Sequence, residues 1–189
     1  MLYGILKNLL KPIFFLLYNI SIEGKENIPK SPGFIVCGNH LRLVDPIFLA
    51  IAFTDQIHFM AKDELFRNTI LRRFFMALGA FPIKRGKPDL KGIKTSLKLL
   101  KENKNLGIFP EGTRNITGEI KAEPGIAMLA IRSKVLVLPV SVKTDYKFFH
   151  KTKIIIGKAI NLESFYNTKL KNEDYVNISL DIMKRIKEL

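Results

Sequence analysis

From Phe34 onward, short apolar runs alternate with stretches of helical periodicity, and this alternation does most to narrow the folds open to the chain. A short apolar run buries on both faces as a strand of a parallel sheet, and the periodic stretch after it supplies a covering helix. Phe34–Cys37, Ile57–Ala61, Ala80–Lys84, Leu106–Phe109, Val135–Val142 and Lys153–Ile156 read as strands. Helices are expected after Asp45-Pro46, from Asp63 to Leu78 with Gly79 as the stop, from Asp89 to Lys104, after Pro124, and from about Glu173 to the C-terminus. Ser31-Pro32-Gly33 and Gly86-Lys87-Pro88 mark turns. The expectation is an α/β fold: a single domain over residues 23–189 with a central, mostly parallel or mixed sheet flanked by helices, preceded by an N-terminal membrane-interfacial helical segment.

In that segment, residues 1–22, Gly4, Lys7, Asn8 and Lys11 recur at helical spacing and lie opposite Leu2, Ile5, Leu6, Leu9 and Leu10. Pro12 suits the first turn of a second helical piece, and Ile13–Tyr18 are apolar all round. The uncharged run Pro12–Ile22 falls short of the roughly 20 residues a spanning helix needs. The segment therefore reads as a monotopic anchor lying in one leaflet, with Lys7 and Lys11 near anionic headgroups. A helix packed on the domain core is the alternative. A cleaved signal peptide is not expected, since the small-residue cleavage pattern is missing.

Thirty-one Lys and Arg against 17 Asp and Glu give a net charge of +14, which points to anionic partners: phospholipid, nucleic acid, a phosphorylated substrate or an acidic carrier protein. Lys91, Lys94, Lys98 and Lys101 make a basic stripe beside an apolar one of Leu90, Ile93, Leu97 and Leu100. It is either a solvated face or a contact for headgroups or a carrier. A single cysteine, Cys37, excludes an intramolecular disulfide and favours a reducing, cytosolic setting. The three histidines, His40, His58 and His150, are too scattered to suggest a zinc site.

Chemistry concentrates in three clusters. Asn39-His40-Leu41-Arg42-Leu43-Val44-Asp45-Pro46 follows a strand and opens a helix, with Asp45 placed as N-cap and Pro46 as the first helical residue. If the turn folds back, the Asp45 carboxylate accepts from His40 Nδ1 and leaves Nε2 as a general base. A capping Asp beside an unrelated histidine gives the same spacing. Phe109-Pro110-Glu111-Gly112-Thr113-Arg114 shapes a loop offering close backbone approach, a hydroxyl and a guanidinium fork suited to phosphate. Gly79-Ala80-Phe81-Pro82-Ile83-Lys84-Arg85 delivers two cations to a strand's C-terminal end, the edge at which open α/β sheets bind ligands.

With Leu138-Pro139-Val140 as a fourth motif, these clusters resemble, in order and approximate spacing over roughly residues 20–160, the glycerolipid acyltransferases, specifically the bacterial 1-acylglycerol-3-phosphate acyltransferases. The resemblance implies that His40 is the catalytic base and Asp45 its orienting partner. The acyl group would pass from a thioester, acyl-CoA or acyl carrier protein, to the free hydroxyl of lysophosphatidic acid, giving phosphatidic acid. It also implies that Arg85, Glu111, Gly112, Thr113 and Arg114 line the acceptor site, and Lys62 looks like the family's lysine near the phosphate. Neither metal nor cofactor is implied. The partners expected are a membrane phospholipid surface, at the cytoplasmic face of the cell membrane, with lysophosphatidic acid and the acyl donor, and no nucleic acid. Phe59, Phe66, Phe74, Phe75 and Phe81 read as core rather than an acyl tunnel, and Pro139 as a strand end. Arg42, Asn115 and Glu123 depart from the family pattern, where a small polar residue, a serine and a lysine are common. The alternatives are an acyltransferase with another acceptor, a different lysolipid or glycerol 3-phosphate, and a basic non-enzymatic nucleic-acid module. The apolar N-terminus counts against the last.

Overall fold

The computed structural model describes residues 2–84, 89–115 and 119–189. Seven strands form one mixed sheet: β1 (Ile20–Glu23), β2 (Ile35–Gly38), β3 (Ile57–Lys62), β4 (Phe81–Ile83), β5 (Asn105–Ile108), β6 (Val137–Lys143) and β7 (Thr152–Ile156), in the order β1-β7-β6-β2-β5-β3-β4. The five strands from β6 to β4 are mutually parallel, while β7 runs antiparallel to β6 and β1 pairs parallel to β7. The helices are α1 (Leu2–Leu17), α2 (Asp45–Ala52), α3 (Thr69–Ala77), α4 (Leu90–Lys101), α5 (Gly125–Ser133) and α6 (Asn172–Glu188).

Alternation along β2 divides the core. Ile35 and Cys37 face one layer with Leu100, Ile126, Leu129, Ile182 and Met183, while Phe34 and Val36 face the other with Phe48, Leu49 and Ile51. α4, α5 and α6 therefore cover the first face and α1 and α2 the second. Right-handed crossovers require this split, because β2-α2-β3 and β3-α3-β4 advance across the sheet in one direction, whereas β4-α4-β5 and β5-α5-β6 return. Since the central strands are parallel, the loops after β2, β3, β4, β5 and β6 all emerge at one edge of the sheet.

Several expectations are corrected. β1 went unread as a strand. The stretch from Asp63 to Leu78 is a 3-10 turn (Asp63–Phe66) followed by α3, whose Asn68 caps it by accepting from the Ile70 and Leu71 N–H groups. α1 continues through Pro12 without a second start. Both Asn8 and Pro12 are exposed, so the carbonyl that Pro12 cannot pair faces water. α1 is also docked. Phe14 and Tyr18 pack edge-on against Phe48, and the Lys7 ammonium donates to the carbonyls of Phe53 and, at 2.6 Å, Thr54, just past the end of α2. Leu2, Ile5, Leu9, Ile13 and Leu16 are an exposed apolar stripe, so Leu2, Ile5 and Leu9 of the expected apolar face are outward while Leu6 and Leu10 are half-buried. Among the described residues no helix is long and apolar enough to cross a membrane. The α4 lysines are exposed, which fits either reading of that stripe, and Leu90, assigned to the packed stripe, is also exposed.

Candidate active site

His40 lies two residues beyond β2, and its neighbour Asn39 fixes where the chain leaves the sheet. The Asn39 side chain donates to the Val142 carbonyl at 3.1 Å and accepts from the Val142 N–H at 2.8 Å, extending the β2–β6 ladder by one side-chain rung. The next turn folds around Asp45, which is fully buried. Its Oδ2 accepts from the N–H groups of Leu41 and Arg42, each at 2.7 Å, and lies 3.1 Å from His40 Nδ1. An oxygen that takes two amide protons is an acceptor, so Nδ1 carries the proton it donates and Nε2 is the ring nitrogen left without a role in holding the turn. Asp45 is the first residue of α2 rather than its N-cap, a place taken by Val44. Its carboxylate reaches back to the preceding turn and to the His40 ring instead of forward to the helix, so it makes no side-chain cap.

The loop after β5 lies beside this turn because β5 is the neighbour of β2. Glu111, buried, accepts from the His40 N–H at 2.7 Å and from Asn115 Nδ2 at 3.2 Å, and Asn115 N–H in turn donates to the His40 carbonyl at 2.7 Å. Glu111 thus grips the backbone beneath His40 rather than pairing with Arg114. Burial pushes its carboxyl upward, against the pull of the His40 and Asn115 hydrogen bonds. Phe109 stacks on the His40 ring at 4.2 Å between centroids, and Phe59 continues the stack at 6.0 Å from Phe109. Asn115 marks a departure from the family's usual serine, and here its amide is what braces Glu111.

Tyr146 completes the surroundings of Asp45. Its phenol donates to Asp45 Oδ1 at 2.8 Å from the loop after β6, and the Arg42 guanidinium sits 5.8 Å from the centre of its ring. Burial, with the Asp45 charge adding, pushes the phenol well above its ordinary range. Sequence reading missed it, since nothing local ties a tyrosine 101 residues away to Asp45.

Gly112 and Thr113 line a cavity of about 920 Å3, within the range of small-molecule pockets. Its walls are Met60, Ile83, Ile93, Ile108, Ile126 and Leu129, with Lys84 at the sheet edge. None of the five phenylalanines weighed as a tunnel lines it, and Phe66 and Phe81 are core. Gly112 is in the left-handed region at φ +69°, and a Cβ there would meet Glu123 at 2.9 Å, so this turn requires glycine. Lys62 ends β3 on the same edge and pairs with Glu64 at 3.1 Å, both about half exposed. Thr113 and Arg114 are exposed. Arg85 lies outside the described residues. Pro139 sits inside β6 opposite Cys37 rather than at a strand end, and its carbonyl accepts from the Gly157 N–H at 2.8 Å. Among the described residues no three or more His, Cys, Asp or Glu side chains are grouped to hold a metal ion.

The family model described as Acyltransferase matches residues 19–143. The 1-acyl-sn-glycerol-3-phosphate acyltransferase of Bacillus subtilis (strain 168) is 34% identical over 194 residues, covering all of this chain and 96% of that one. A Borreliella burgdorferi protein of the same name is 27% identical over 168 residues, 87% of this chain and 63% of the relative. The crystal structure of the 1-acyl-sn-glycerophosphate (LPA) acyltransferase PlsC from Thermotoga maritima superposes with a TM-score of 0.73 at 25% identity, covering 98% of this chain and 78% of that one.

Proposed function

The chain belongs to the acyltransferase family, and from that premise we propose that it transfers a fatty acyl group from an acyl thioester to the free hydroxyl of 1-acylglycerol 3-phosphate, giving phosphatidic acid for phospholipid synthesis. The observation that carries the mechanism is the His40–Asp45 contact, with Nδ1 held by a buried carboxylate and Nε2 left to act. His40 Nε2 accepts the hydroxyl proton as the oxygen attacks the thioester carbonyl. The tetrahedral intermediate then expels the thiolate, which recovers that proton from the imidazolium as free thiol. Asp45 stabilises the imidazolium between the two steps. Phe109 and the Glu111 grip hold ring and backbone, so that positioning supplies much of the rate.

Lys62, Lys84, Arg114 and, from the sequence, Arg85 supply cations for the acceptor phosphate, three of them following parallel strands onto one sheet edge. The apolar cavity opening at Gly112 and Thr113 suits an acyl chain. The outward stripe of α1 would rest in one leaflet at the cytoplasmic face, where the acceptor resides.

The test is release of free thiol from acyl-CoA and from acyl carrier protein, with and without lysophosphatidic acid. We expect acceptor-dependent release that falls at least about 10^3-fold in His40→Ala, the loss of a general base together with its orientation. Activity retained in the variant would remove the dyad from the mechanism. Lys62→Ala and Arg114→Ala should each raise KM for the phosphate-bearing acceptor about tenfold, the worth of one charge-assisted contact. An unchanged KM in both would move the acceptor to a lipid with a different headgroup.

A further inference from the structure

The loop between β6 and β7 does more than hold Tyr146. It is tightly bonded: the Thr144 and Thr152 hydroxyls meet at 2.8 Å, the Tyr146 N–H donates to Thr144 Oγ1 at 3.0 Å, the Lys147 N–H to Asp145 Oδ1 at 3.0 Å, and His150 Nδ1 lies 2.7 Å from Asp145 Oδ2. Tyr146 and Phe149 both occupy the left-handed region, at φ +61° and +64°, a conformation that bulky side chains rarely adopt. What this ordered, strained loop presents to solvent is a pair of phenylalanines, Phe148 at 60% and Phe149 at 69% exposure.

These rings are continuous with α1. Phe148 packs on Tyr18 at 5.4 Å, and the Phe149 N–H donates to the Leu17 carbonyl, beside the outward Ile13 and Leu16. Lys143, Lys147 and Lys151 flank them in the chain, all exposed, and residues 143–153 hold four lysines against one aspartate, itself beside His150. Exposed aromatic rings in a lysine-rich loop match an anionic bilayer surface, where the rings enter the headgroup boundary and the ammonium groups meet phosphate.

We infer that Phe148 and Phe149 are a second membrane contact, entering the same anionic leaflet as the outward stripe of α1 and resting on the membrane reading proposed above. Their loop is the one whose Tyr146 holds Asp45, so the bilayer surface and the dyad are fixed to one another by three residues of chain. An acceptor lipid rising from the leaflet meets His40 without leaving the interface.

The chain has no tryptophan, so Phe148→Trp and, separately, Leu16→Trp each create a single tryptophan that can be excited selectively at the red edge, where the tyrosines do not absorb. Each is mixed with vesicles of equal phosphatidylcholine and phosphatidylglycerol, and with the same vesicles carrying brominated acyl chains. The expected result is a blue shift and bromine quenching for both variants, weaker with phosphatidylcholine alone. A shift for Leu16→Trp without one for Phe148→Trp would overturn the inference and leave the α1 anchor standing. No shift in either would remove both. The double variant Phe148→Asp/Phe149→Asp is expected to lose about tenfold in turnover of lysophosphatidic acid presented in those vesicles, and less than about twofold with a short-chain, freely dissolved acceptor. Equal loss with both acceptors would show a structural role and overturn it as well.

Discussion

Asp45 accepts four hydrogen bonds, three on Oδ2 from two amides and His40 and one on Oδ1 from Tyr146, and each has a separate consequence. The amides fix the carboxylate to its own turn. The phenol draws negative charge away from the imidazole. Tyr146→Phe keeps the ring on Phe48 and beneath Arg42 but removes the one hydrogen bond on Oδ1, so the carboxylate that orients His40 is held less firmly. Turnover should fall several-fold with KM little changed, as a less well placed base implies. Wild-type turnover would show that the hydroxyl does not act on the dyad. Because burial keeps Tyr146 protonated far above its ordinary range, the wild-type pH profile of kcat/KM should show no alkaline fall from this residue. Cys37 makes a complementary prediction. Burial, reinforced by the Glu111 charge, pushes its thiol well upward, so iodoacetamide at mildly alkaline pH should leave native enzyme active and label it only once unfolded. At this scale the sequence spacing made His40 and Asp45 legible because five positions can close one turn. It left open whether the carboxylate caps a helix or grips a histidine, a choice made by the Leu41 and Arg42 amides that no spacing reveals.

Elements settle what spacing cannot. β5 carries Gly107 where a Cβ would fall 2.3 Å from the Phe59 ring, so the stack from Phe59 through Phe109 to His40 depends on the absence of one methyl group in the middle of the sheet. Gly107→Ala should destabilise the fold by about 1–3 kcal/mol through overpacking, and should displace Phe59 and, through Phe109, the His40 ring. Turnover should fall about tenfold in the fraction that denaturant titration shows to be folded, as a misplaced base implies. Full turnover there would mean that the stack is packing alone. The same strands explain what was legible. Runs such as Ile35–Gly38 and Val137–Lys143 are apolar on both faces and read directly as central strands. β1 was hidden because Ile20–Glu23 continues the apolar run of α1, and the break falls at Asn19, a left-handed residue at φ +39° rather than a glycine or proline. The family motifs were legible in order, but that Glu111 would lie under His40 follows only from β5 sitting next to β2, a sheet order that the chain order does not state.

At the scale of the molecule, every element with chemistry lies at the C-terminal edge of the parallel strands, and α1 runs across one face of the sheet up to that edge. Its N-terminal half is held where Lys7 meets the end of α2, and its C-terminal end where Leu17 and Tyr18 meet the loop carrying Tyr146. This docking changes how the anchor can be tested. Deleting residues 1–20 would strip Phe14 and Tyr18 from Phe48 and remove the start of β1, so lost vesicle binding would not be separable from lost structure. The outward stripe offers a cleaner route, since Ile5 and Leu9 are 57% and 59% exposed and make no part of either core layer. Ile5→Asp/Leu9→Asp should leave unfolding within about 0.5 kcal/mol per site of wild type, as surface changes away from packing do. The double variant should nevertheless co-sediment several-fold less with vesicles of equal phosphatidylcholine and phosphatidylglycerol, the Phe148 and Phe149 contact alone holding the remainder. Raising salt should weaken wild-type binding without abolishing it, because the lysine attraction is screened while burial of the apolar stripe is not. Binding that survives the double substitution in full but vanishes in salt would assign attachment to the basic surface alone. Binding that resists both would place the membrane contact elsewhere than α1.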